Sequence, residues 1–220
     1  MNKFFKIFTA AVLVAASAAT MAACGGNGGT DDGTLPVPDG STEYVFEAEY
    51  VDCSDIGRVD GWSGGGANED VVAPDMGGYG ASNGFYVTYL YRNNVTIEFV
   101  INSDKAVNDA RLVWRLSAEG ADYTISPSNY KVAVNGTELS YAPVQFTNVP
   151  GVGKMLPFKD YVLATNVSLK EGENIISFTT ANSNSLGGTT TATAPIIDCI
   201  KIATSAKLTW TPVESNLDQF

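Results

Sequence analysis

The sequence predicts an all-β domain, a sandwich or barrel of about nine antiparallel strands. Short segments rich in Val, Ile, Thr, Tyr and Phe, or alternating between apolar and polar residues, follow one another along the chain. Glycine, asparagine, proline and serine separate these segments, as is typical of turns. No segment keeps the 3.6-residue apolar period of a helix beyond two turns.

The predicted strands share this composition and run, in chain order, Tyr44–Asp52, Gly84–Tyr91, Val95–Asn102, Ala110–Ser117, Tyr130–Val134, Glu138–Ala142, Tyr161–Leu169, Asn174–Thr180 and Ile196–Ala203. Two of the connections predict hairpins. Asn135-Gly136 lies between alternating runs and suits a type I′ turn. Glu171-Gly172-Glu173 closes a short loop between two further strands.

Residues 1–23 have the three parts of a secretory signal: a basic start with two lysines, an apolar stretch, and small residues before the cleavage site. Cys24 follows two alanines directly. This junction resembles the lipobox of bacterial lipoproteins, with Met21 where that motif usually has Leu. The resemblance implies that Cys24 is acylated and anchors the chain to a membrane. The alternative is an ordinary secreted protein with an unmodified Cys24.

The composition divides the remaining chain into three parts. Residues 24–42 are rich in glycine and proline and carry few aliphatic side chains, so they predict a flexible tether. Residues 43–205 have the size of one domain. Residues 206–220, with Trp210 and Pro212, are too few for a domain and predict either an added edge strand or a partner-docking segment.

The charge balance restricts the partners. The formal net charge is −11, and removal of the leader takes away two lysines, so −11 − 2 gives −13 for the mature chain. A chain this acidic is not attracted to nucleic acid or to bare anionic lipid. We therefore expect contact with a membrane through the lipid anchor alone, and partners that are neutral molecules or cations.

The residue types also exclude several chemistries. The chain has no histidine, which excludes Ser-His-Asp and Cys-His nucleophiles and any histidine base. Its three cysteines lack metal-binding spacing. The glycine clusters Gly64–Gly66 and Gly77–Gly78 are not followed by a helical pattern, so they do not predict phosphate-binding loops.

Four motifs occur in a fixed order, at Phe46–Glu49, Asn83–Val87, Leu169–Ile176 and Pro195–Ile202. With them, residues 44–203 resemble carbohydrate-binding modules of families 6 and 35. The resemblance implies a jelly-roll β-sandwich in which the first strand pairs with the last. It also implies a structural calcium ion and sugar sites on the loops.

The calcium expectation rests on acidic residues of the first and last strands. In a strand, Glu47 and Glu49 would project from one face with Cα atoms about 6.6 Å apart. Ca²⁺ takes six to eight oxygen ligands, and the resemblance makes Asp198 the third candidate ligand. The alternative is that the two glutamates are solvated charges of an edge strand.

The same pair of glutamates also suits a jelly-roll glycoside hydrolase, because retaining glycosidases place two carboxyl groups about 5 Å apart. Position argues against it: the paired-acid strand of such hydrolases normally lies mid-chain, whereas Glu47 and Glu49 begin this domain. The third acid, Asp52, also falls three residues after the second, on the wrong face of a regular strand. We therefore predict that the protein is not an enzyme.

If Cys24 is acylated, Cys53 and Cys199 remain as a pair, and export favours disulfides. The strands that carry them are neighbours under the resemblance, so a bridge is one expectation. Two buried free thiols are the other.

A sugar site needs aromatic faces beside polar groups. Trp114, Phe46, Phe99 and Phe178 lie within strands and are expected in the core. The aromatic residues in or beside glycine-rich or irregular stretches are the candidates for sugar contact, namely Trp62, Tyr79, Tyr86, Phe158 and Tyr161.

One position departs from the resemblance. Ile196 follows Pro195 where the modules often have a ligand-binding asparagine. Asn182, Asn184 and residues 189–193 are available in the preceding loop to compensate. The sequence thus predicts a polysaccharide-binding lipoprotein on the cell surface or the periplasmic side of a bacterial envelope, or alternatively a structural or protein-interaction module of a surface assembly.

Overall fold

The computed structural model describes residues 37, 39–53, 71–90, 96–181, 194–213 and 217. All of them lie within one compact unit, Asp31–Phe220. The described residues contain no α-helix, and accordingly no helix long and apolar enough to cross a membrane. Residues 1–23, which the sequence predicts as a leader, together with Cys24, Trp62, Asn182, Asn184 and 189–193, lie outside the described part of the chain.

Thirteen strands are described, and the all-β prediction is confirmed. Their bounds are β1 Thr42–Glu47, β2 Val72–Pro74, β3 Phe85–Val87, β4 Thr96–Ser103, β5 Val107–Ser117, β6 Tyr123–Ile125, β7 Tyr130–Val134, β8 Thr137–Glu138, β9 Val144–Phe146, β10 Lys159–Leu169, β11 Gly172–Thr180, β12 Ile196–Thr204 and β13 Leu208–Trp210. The excess over about nine predicted strands consists of β2, β6, β9 and β13, each three residues long and too short to show a period in the sequence. The strand predicted at Glu138–Ala142 is present only as the two-residue β8.

The strands form two main antiparallel sheets. The first has the order β10-β5-β12-β3-β2, and β1 also pairs with β12. Because β5 occupies one edge of β12, β1 and β3 share the other edge. The second sheet has the order β13-β4-β11-β7-β8, and β6 and β9 form a separate two-stranded ribbon. The predicted pairing of the first strand with the last is therefore present, with Phe46 opposite Ile200.

The two main sheets pack face to face around Trp114 of β5. Its ring lies 6.0 Å from that of Phe99 on β4 and 4.8 Å from that of Phe178 on β11, measured between centroids. The alternation of buried and exposed residues along β4 follows from this packing, because one face of the second sheet covers the core and the other is solvated. The aromatic residues expected in the core are there.

Local features of the chain set the ends of the strands. Asn135 has φ 52° and Gly136 has φ 77°, as the type I′ turn predicted between β7 and β8 requires. The prediction of a first strand through Asp52 is wrong: β1 ends at Glu47, and Ala48–Tyr50 form a 3₁₀ turn. Within residues 206–220, β13 pairs with β4 as an added edge strand, and Trp210 packs edge-on against Phe46.

Candidate functional site

A β-bulge in β12 places Asp198. Ile197 pairs with Leu116 and Cys199 pairs with Arg115, so Asp198 is an extra residue with no partner of its own in β5. A bulge bends its strand and redirects a side chain. Here it turns the carboxylate of Asp198 toward Arg115 and toward the loop between β2 and β3, where it is completely buried.

That loop, Asp75–Gly84, is organised by its own first residue. The carboxylate of Asp75 accepts hydrogen bonds from the backbone N–H groups of Tyr79 (2.9 Å), Gly80 (2.8 Å) and Ala81 (3.0 Å). Partial burial would raise the pKa of Asp75, but these hydrogen bonds to its charged form outweigh burial and lower it. The ring of Tyr79 lies over Gly77, where a Cβ atom would come within 2.0 Å of it. The loop is thus held in one conformation from within.

Ser82 attaches the loop to the first sheet. Its backbone N–H donates to Asp198 Oδ1 at 2.9 Å and Oδ2 at 3.1 Å. Its hydroxyl lies 2.6 Å from Glu47 Oε2 and 3.0 Å from Asp198 Oδ1. A hydroxyl carries one proton, so the two carboxylates share that donor. The next residue, Asn83, donates from Nδ2 to Glu49 Oε1 at 2.9 Å.

Two of the three predicted calcium ligands, Glu47 and Asp198, therefore meet at Ser82, and the third, Glu49, is bonded to the next residue, Asn83. Glu49 and Asp198 are both 0% exposed, so the alternative of solvated edge charges is wrong for Glu49. The premise that Glu47 and Glu49 lie on one strand face is also wrong, because Glu49 belongs to the 3₁₀ turn. Ligand atoms of Glu47, Asp198 and Cys199 lie within 4.8 Å of one another.

The carboxyl groups of this acidic site titrate unusually. Burial raises the pKa of Glu47 to about 7, and it raises the pKa of Glu49 to about 7 as well. Burial also raises the pKa of Asp198, against the opposing effects of Ser82 and Arg115. Desolvation disfavours the charged forms, and the three acids disfavour one another's ionisation. A cation placed among them would favour the charged forms and so lower the pKa values of all three acids.

Arg115 is the part of the site that sequence reasoning missed. Its guanidinium contacts Asp198 Oδ2 at 2.7 Å from Nε and Asp160 Oδ1 at 3.0 Å from Nη1. Lys201 Nζ reaches Asp160 Oδ2 at 2.6 Å. One signal was present in the sequence: Arg115 is a charged residue inside the apolar strand β5, and a half-buried charge needs a partner.

Three of the predicted sugar-contact residues come together beside the acidic site. Tyr86 and Phe158 have ring centroids 5.7 Å apart, and the backbone N–H of Phe158 donates to the carbonyl oxygen of Tyr79 at 3.0 Å. Met155, Phe158 and Ile196 form the buried part of this aromatic cluster, and Tyr79 and Tyr86 pack against them, each partly exposed. Burial raises the pKa of Tyr86 to about 12, so its phenol stays protonated.

Two of the predicted positions need correction. Phe158 is only 5% exposed, so it supports the other rings and offers little face to a ligand. Tyr161 lies on β10 opposite Trp114 and contacts Phe146 edge-on at 5.6 Å, so it packs against the main core and away from the aromatic cluster. Ile196 is 2% exposed, and its apolar side chain packs into the aromatic cluster. The modules that the sequence resembles often have a ligand-binding asparagine at this position.

The expected disulfide is not formed, since Cys53 and Cys199 are both free thiols. The Sγ atom of Cys199 lies 4.0 Å from Asp198 Oδ2, within the acidic site. Burial raises the pKa of Cys53 to about 12 and raises that of Cys199 as well. Both thiols are therefore protonated and poorly reactive.

A groove of about 590 Å³, lined by both polar and apolar residues, lies at the other end of the sandwich. Asn108, Asn166, Ser168 and Lys170 line it, near the start of β5 and the end of β10, and none of its lining residues is aromatic. Asn135 also lines it, but its amide is already bonded to Asn174 Oδ1 at 2.9 Å and to the N–H of Ile175 at 3.1 Å. The groove therefore lacks the ring faces that a stacked sugar needs.

Comparison with known proteins gives structural neighbours only. No family model matches the chain, and no curated protein matches it. Among solved structures, a family 35 carbohydrate-binding module from an environmental isolate is similar at 15% identity, covering 76% of this chain and 97% of its own, with a TM-score of 0.47. A family 35 module from Clostridium thermocellum is similar at 25% identity, covering 73% and 98%, with a TM-score of 0.43.

A Podospora anserina β-(1,4)-mannanase that includes a family 35 module is also similar, at 20% identity and a TM-score of 0.42, covering 77% of this chain and 27% of the mannanase. All three names include family 35, one of the two families that the sequence resembles. Because each TM-score is below 0.5, these likenesses decide neither ligand nor activity.

Proposed function

We propose that this protein is a membrane-anchored module that binds polysaccharide without transforming it. The observation that supports this most directly is the pair Tyr79 and Tyr86, partly exposed side chains on the loop that Asp75 organises and on the strand that follows it. A pyranose stacks its C–H face on such a ring while nearby polar groups orient its hydroxyls. Rings held in place by packing lose little entropy on binding.

We also propose that Ca²⁺ stabilises the module, held by Glu47, Glu49 and Asp198. The donor set fits the ion, because Ca²⁺ prefers carboxylate and carbonyl oxygens. The raised pKa values of Glu47 and Glu49 also fit, because they show that no neighbouring cation in the described part of the chain compensates the burial of these carboxylates. The ion would supply structural stabilisation only. Asp198 Oδ1 faces Glu47 through the Ser82 hydroxyl, whereas Oδ2 contacts Arg115 and the Ser82 N–H.

The same contacts argue for binding over hydrolysis. A retaining glycosidase needs two carboxyl groups that both reach the scissile bond of the sugar. Glu49 is 0% exposed and accepts a hydrogen bond from Asn83, so a sugar cannot approach it without unpacking the 3₁₀ turn. Product formation by the purified protein, lost in Glu47→Gln, would instead establish the hydrolase alternative.

Acylation of Cys24 would place the aromatic cluster away from the membrane. The chain enters the domain at Thr42, and the six residues of β1 span about 17 Å from Thr42 to Glu47. The loop Asp75–Gly84 contacts the Glu47 end of β1, at the far end from the predicted tether. The proposed setting is an exported lipoprotein on the cell surface or periplasmic side, and the net charge of −11 is the ground for proposing no nucleic-acid partner.

A glycan array tests the proposal. The probe is the soluble chain that begins at Gly25, applied to neutral and uronic-acid polysaccharides. We expect micromolar to millimolar binding to a neutral polysaccharide, because one or two stacking contacts leave about −4 to −8 kcal/mol. Tyr86→Ala should weaken this binding at least tenfold, whereas 0.5 M salt should change it little.

The matched control is Tyr44→Ala, which truncates a tyrosine on the core side of β1 outside the aromatic cluster. Binding that salt weakens and Tyr86→Ala leaves intact would indicate a charged or protein partner. That outcome would favour the second candidate, a protein-interaction module, for which the burial of Phe158 and Ile196 is the specific support.

A further inference from the structure

One guanidinium joins three separate elements of the fold. Arg115 projects from β5, and its three nitrogens contact Asp198 on β12 at 2.7 Å, Asp160 on β10 at 3.0 Å and the carbonyl oxygen of Gly80 at 2.7 Å. The first two partners belong to the sheet and the third belongs to the loop Asp75–Gly84. Arg115 therefore connects the two strands that flank β5, namely β10 and β12, with this loop.

We propose that Arg115 is the positioning residue that holds the loop Asp75–Gly84 on the sheet, and that this attachment needs no metal ion. The consequence for ligand binding rests on the proposed function, because Tyr79 is carried by this loop. The attachment itself does not, since it is a property of the unliganded protein. Nothing in the resemblance to sugar-binding modules assigns a role to Arg115.

The hydrogen bonds of the loop fall into two independent systems. The internal system is the carboxylate of Asp75 with the N–H groups of Tyr79, Gly80 and Ala81. The external system joins the loop to the sheet and its neighbours. It comprises the N–H and hydroxyl of Ser82 on Asp198 and Glu47, the Asn83 amide on Glu49, the Phe158 N–H on the Tyr79 carbonyl oxygen, and the Arg115 guanidinium on the Gly80 carbonyl oxygen. The internal system shapes the loop, and the external system fixes it to the sheet. Changes at Arg115 should therefore weaken the second and spare the first.

The burial of Asp198 explains why the attachment depends on Arg115. Asp198 is 0% exposed, and a buried carboxylate without a paired cation is strongly destabilising. Its Oδ1 atom accepts from Ser82, and its Oδ2 atom contacts both the guanidinium and the Ser82 N–H. Without the guanidinium, the carboxylate is no longer held from the β5 side. The Ser82 amide then loses the fixed position of its acceptor.

The geometry also explains why a positive charge alone, such as that of a lysine, would not hold the loop on the sheet. A guanidinium is planar and donates in several fixed directions, whereas a lysine ammonium is a single point donor. The three oxygen partners of Arg115 lie on three different elements. A lysine at this position could reach one of them and would leave the Gly80 carbonyl without its donor or Asp198 without its ion pair.

Amide hydrogen exchange of the soluble chain beginning at Gly25, measured by NMR without glycan and in EDTA, tests the proposal. In Arg115→Met we expect the protection of the Ser82 amide to fall about tenfold or more, while the Tyr79 and Ala81 amides change less than threefold. Asp75→Asn should give the reverse pattern. Arg115→Lys should lose Ser82 protection by an intermediate factor. Asp160→Asn is the matched control, because it removes only the exposed partner, and should change Ser82 less than threefold.

Arg115→Met is expected to lower the melting temperature, and a second variant covers the case in which it does not fold. Arg115→Met with Asp198→Asn removes the unpaired buried charge and should restore folding, yet leave Ser82 protection at least threefold below the original. Ser82 protection equal to the original in Arg115→Lys or in the double variant would overturn the proposal. So would a fall in Ser82 protection as large as that in Arg115→Met when the unsubstituted protein is moved from CaCl₂ to EDTA, because the metal would then hold the loop. A loop that stays attached while glycan binding fails would refute the proposed function and leave this inference intact.

Discussion

The acidic site predicts that the metal-free protein becomes less stable as the pH rises from 5 to 8. The pKa of Glu49 is about 7 in the folded protein against an ordinary 4.5. Between these values the folded state holds a proton that the unfolded state has released. Stability falls with pH wherever the folded state binds more protons, so Glu49 stabilises the protein at low pH and loses this contribution as the pH rises to 7. Glu47 and Asp198 act in the same direction.

The magnitude follows from the size of the shift. A change from 4.5 to about 7 at Glu49, at about 1.4 kcal/mol per pKa unit, corresponds to about 2 to 3 kcal/mol between pH 5 and pH 8. Glu47 is partly exposed, so solvent screening reduces its contribution to this change in the free energy of unfolding to about 1 kcal/mol. In a domain of this size, about 3 kcal/mol shifts the melting temperature by roughly 10 °C. The chain has no histidine to add a titration in this pH range.

Calcium should reverse the trend, because carboxylates must be ionised to bind a metal. A hundredfold excess of free Ca²⁺ over its dissociation constant stabilises the folded state by about 2.7 kcal/mol. We expect that gain at pH 8 and little gain at pH 5. The assay is calorimetry at both pH values, in EDTA and in CaCl₂. Glu49→Gln should flatten the pH dependence, whereas the exposed Glu173→Gln should leave it unchanged.

A melting temperature in EDTA that is constant or rises from pH 5 to pH 8 would refute the burial argument for Glu49. Identical curves in EDTA and CaCl₂ at pH 8, with the pH trend intact, would refute the metal proposal alone.

Three further predictions concern other parts of the chain. Cys24→Ala should move the protein from the membrane fraction to the soluble fraction, and unchanged fractionation would contradict lipid anchoring. Trp114→Ala should lower the free energy of unfolding in urea by about 3 to 5 kcal/mol, whereas Val100→Ala, at 41% exposure, should change it by less than about 0.5 kcal/mol. A change of under 1 kcal/mol for Trp114→Ala would contradict the placement of that ring between the sheets. Because Cys53 and Cys199 are free, a reducing agent should leave the melting temperature unchanged, and a fall would indicate a bridge.

Local sequence patterns predicted most of the fold because most of the strands alternate or carry β-branched residues. The strand interiors of β4, β5, β7, β10, β11 and β12 lie where their composition placed them. The pattern failed at Ala48–Tyr50, where glutamate and alanine continue the alternation of β1 but the chain turns into a 3₁₀ turn. Ala48 is completely buried there, so tertiary packing decided its conformation over local preference.

The candidate site was predictable only in part. The approach of Glu47 to Asp198 followed from pairing the first strand with the last, which the motifs indicated. The contacts of Ser82, Asn83 and Arg115 did not follow, because they join residues far apart in sequence. The prediction of Phe158 as an exposed sugar-contact residue was wrong for a related reason. An aromatic residue beside a glycine-rich stretch is exposed only if no other loop covers it, and the Tyr79 loop covers this one.

The bulge at Asp198 illustrates how a buried acid can be reconciled with an apolar strand. In a regular strand, Asp198 would share a face with Ile200, and Ile200 packs in the main core. An unpaired carboxylate there would be strongly unfavourable. Ile197, Ile200 and Ile202 all lie in that core, so the spacing of inward residues changes from three to two along β12. A spacing of three needs one extra residue in the strand, which the bulge supplies. The extra residue is Asp198, and it reaches Arg115 without entering the core.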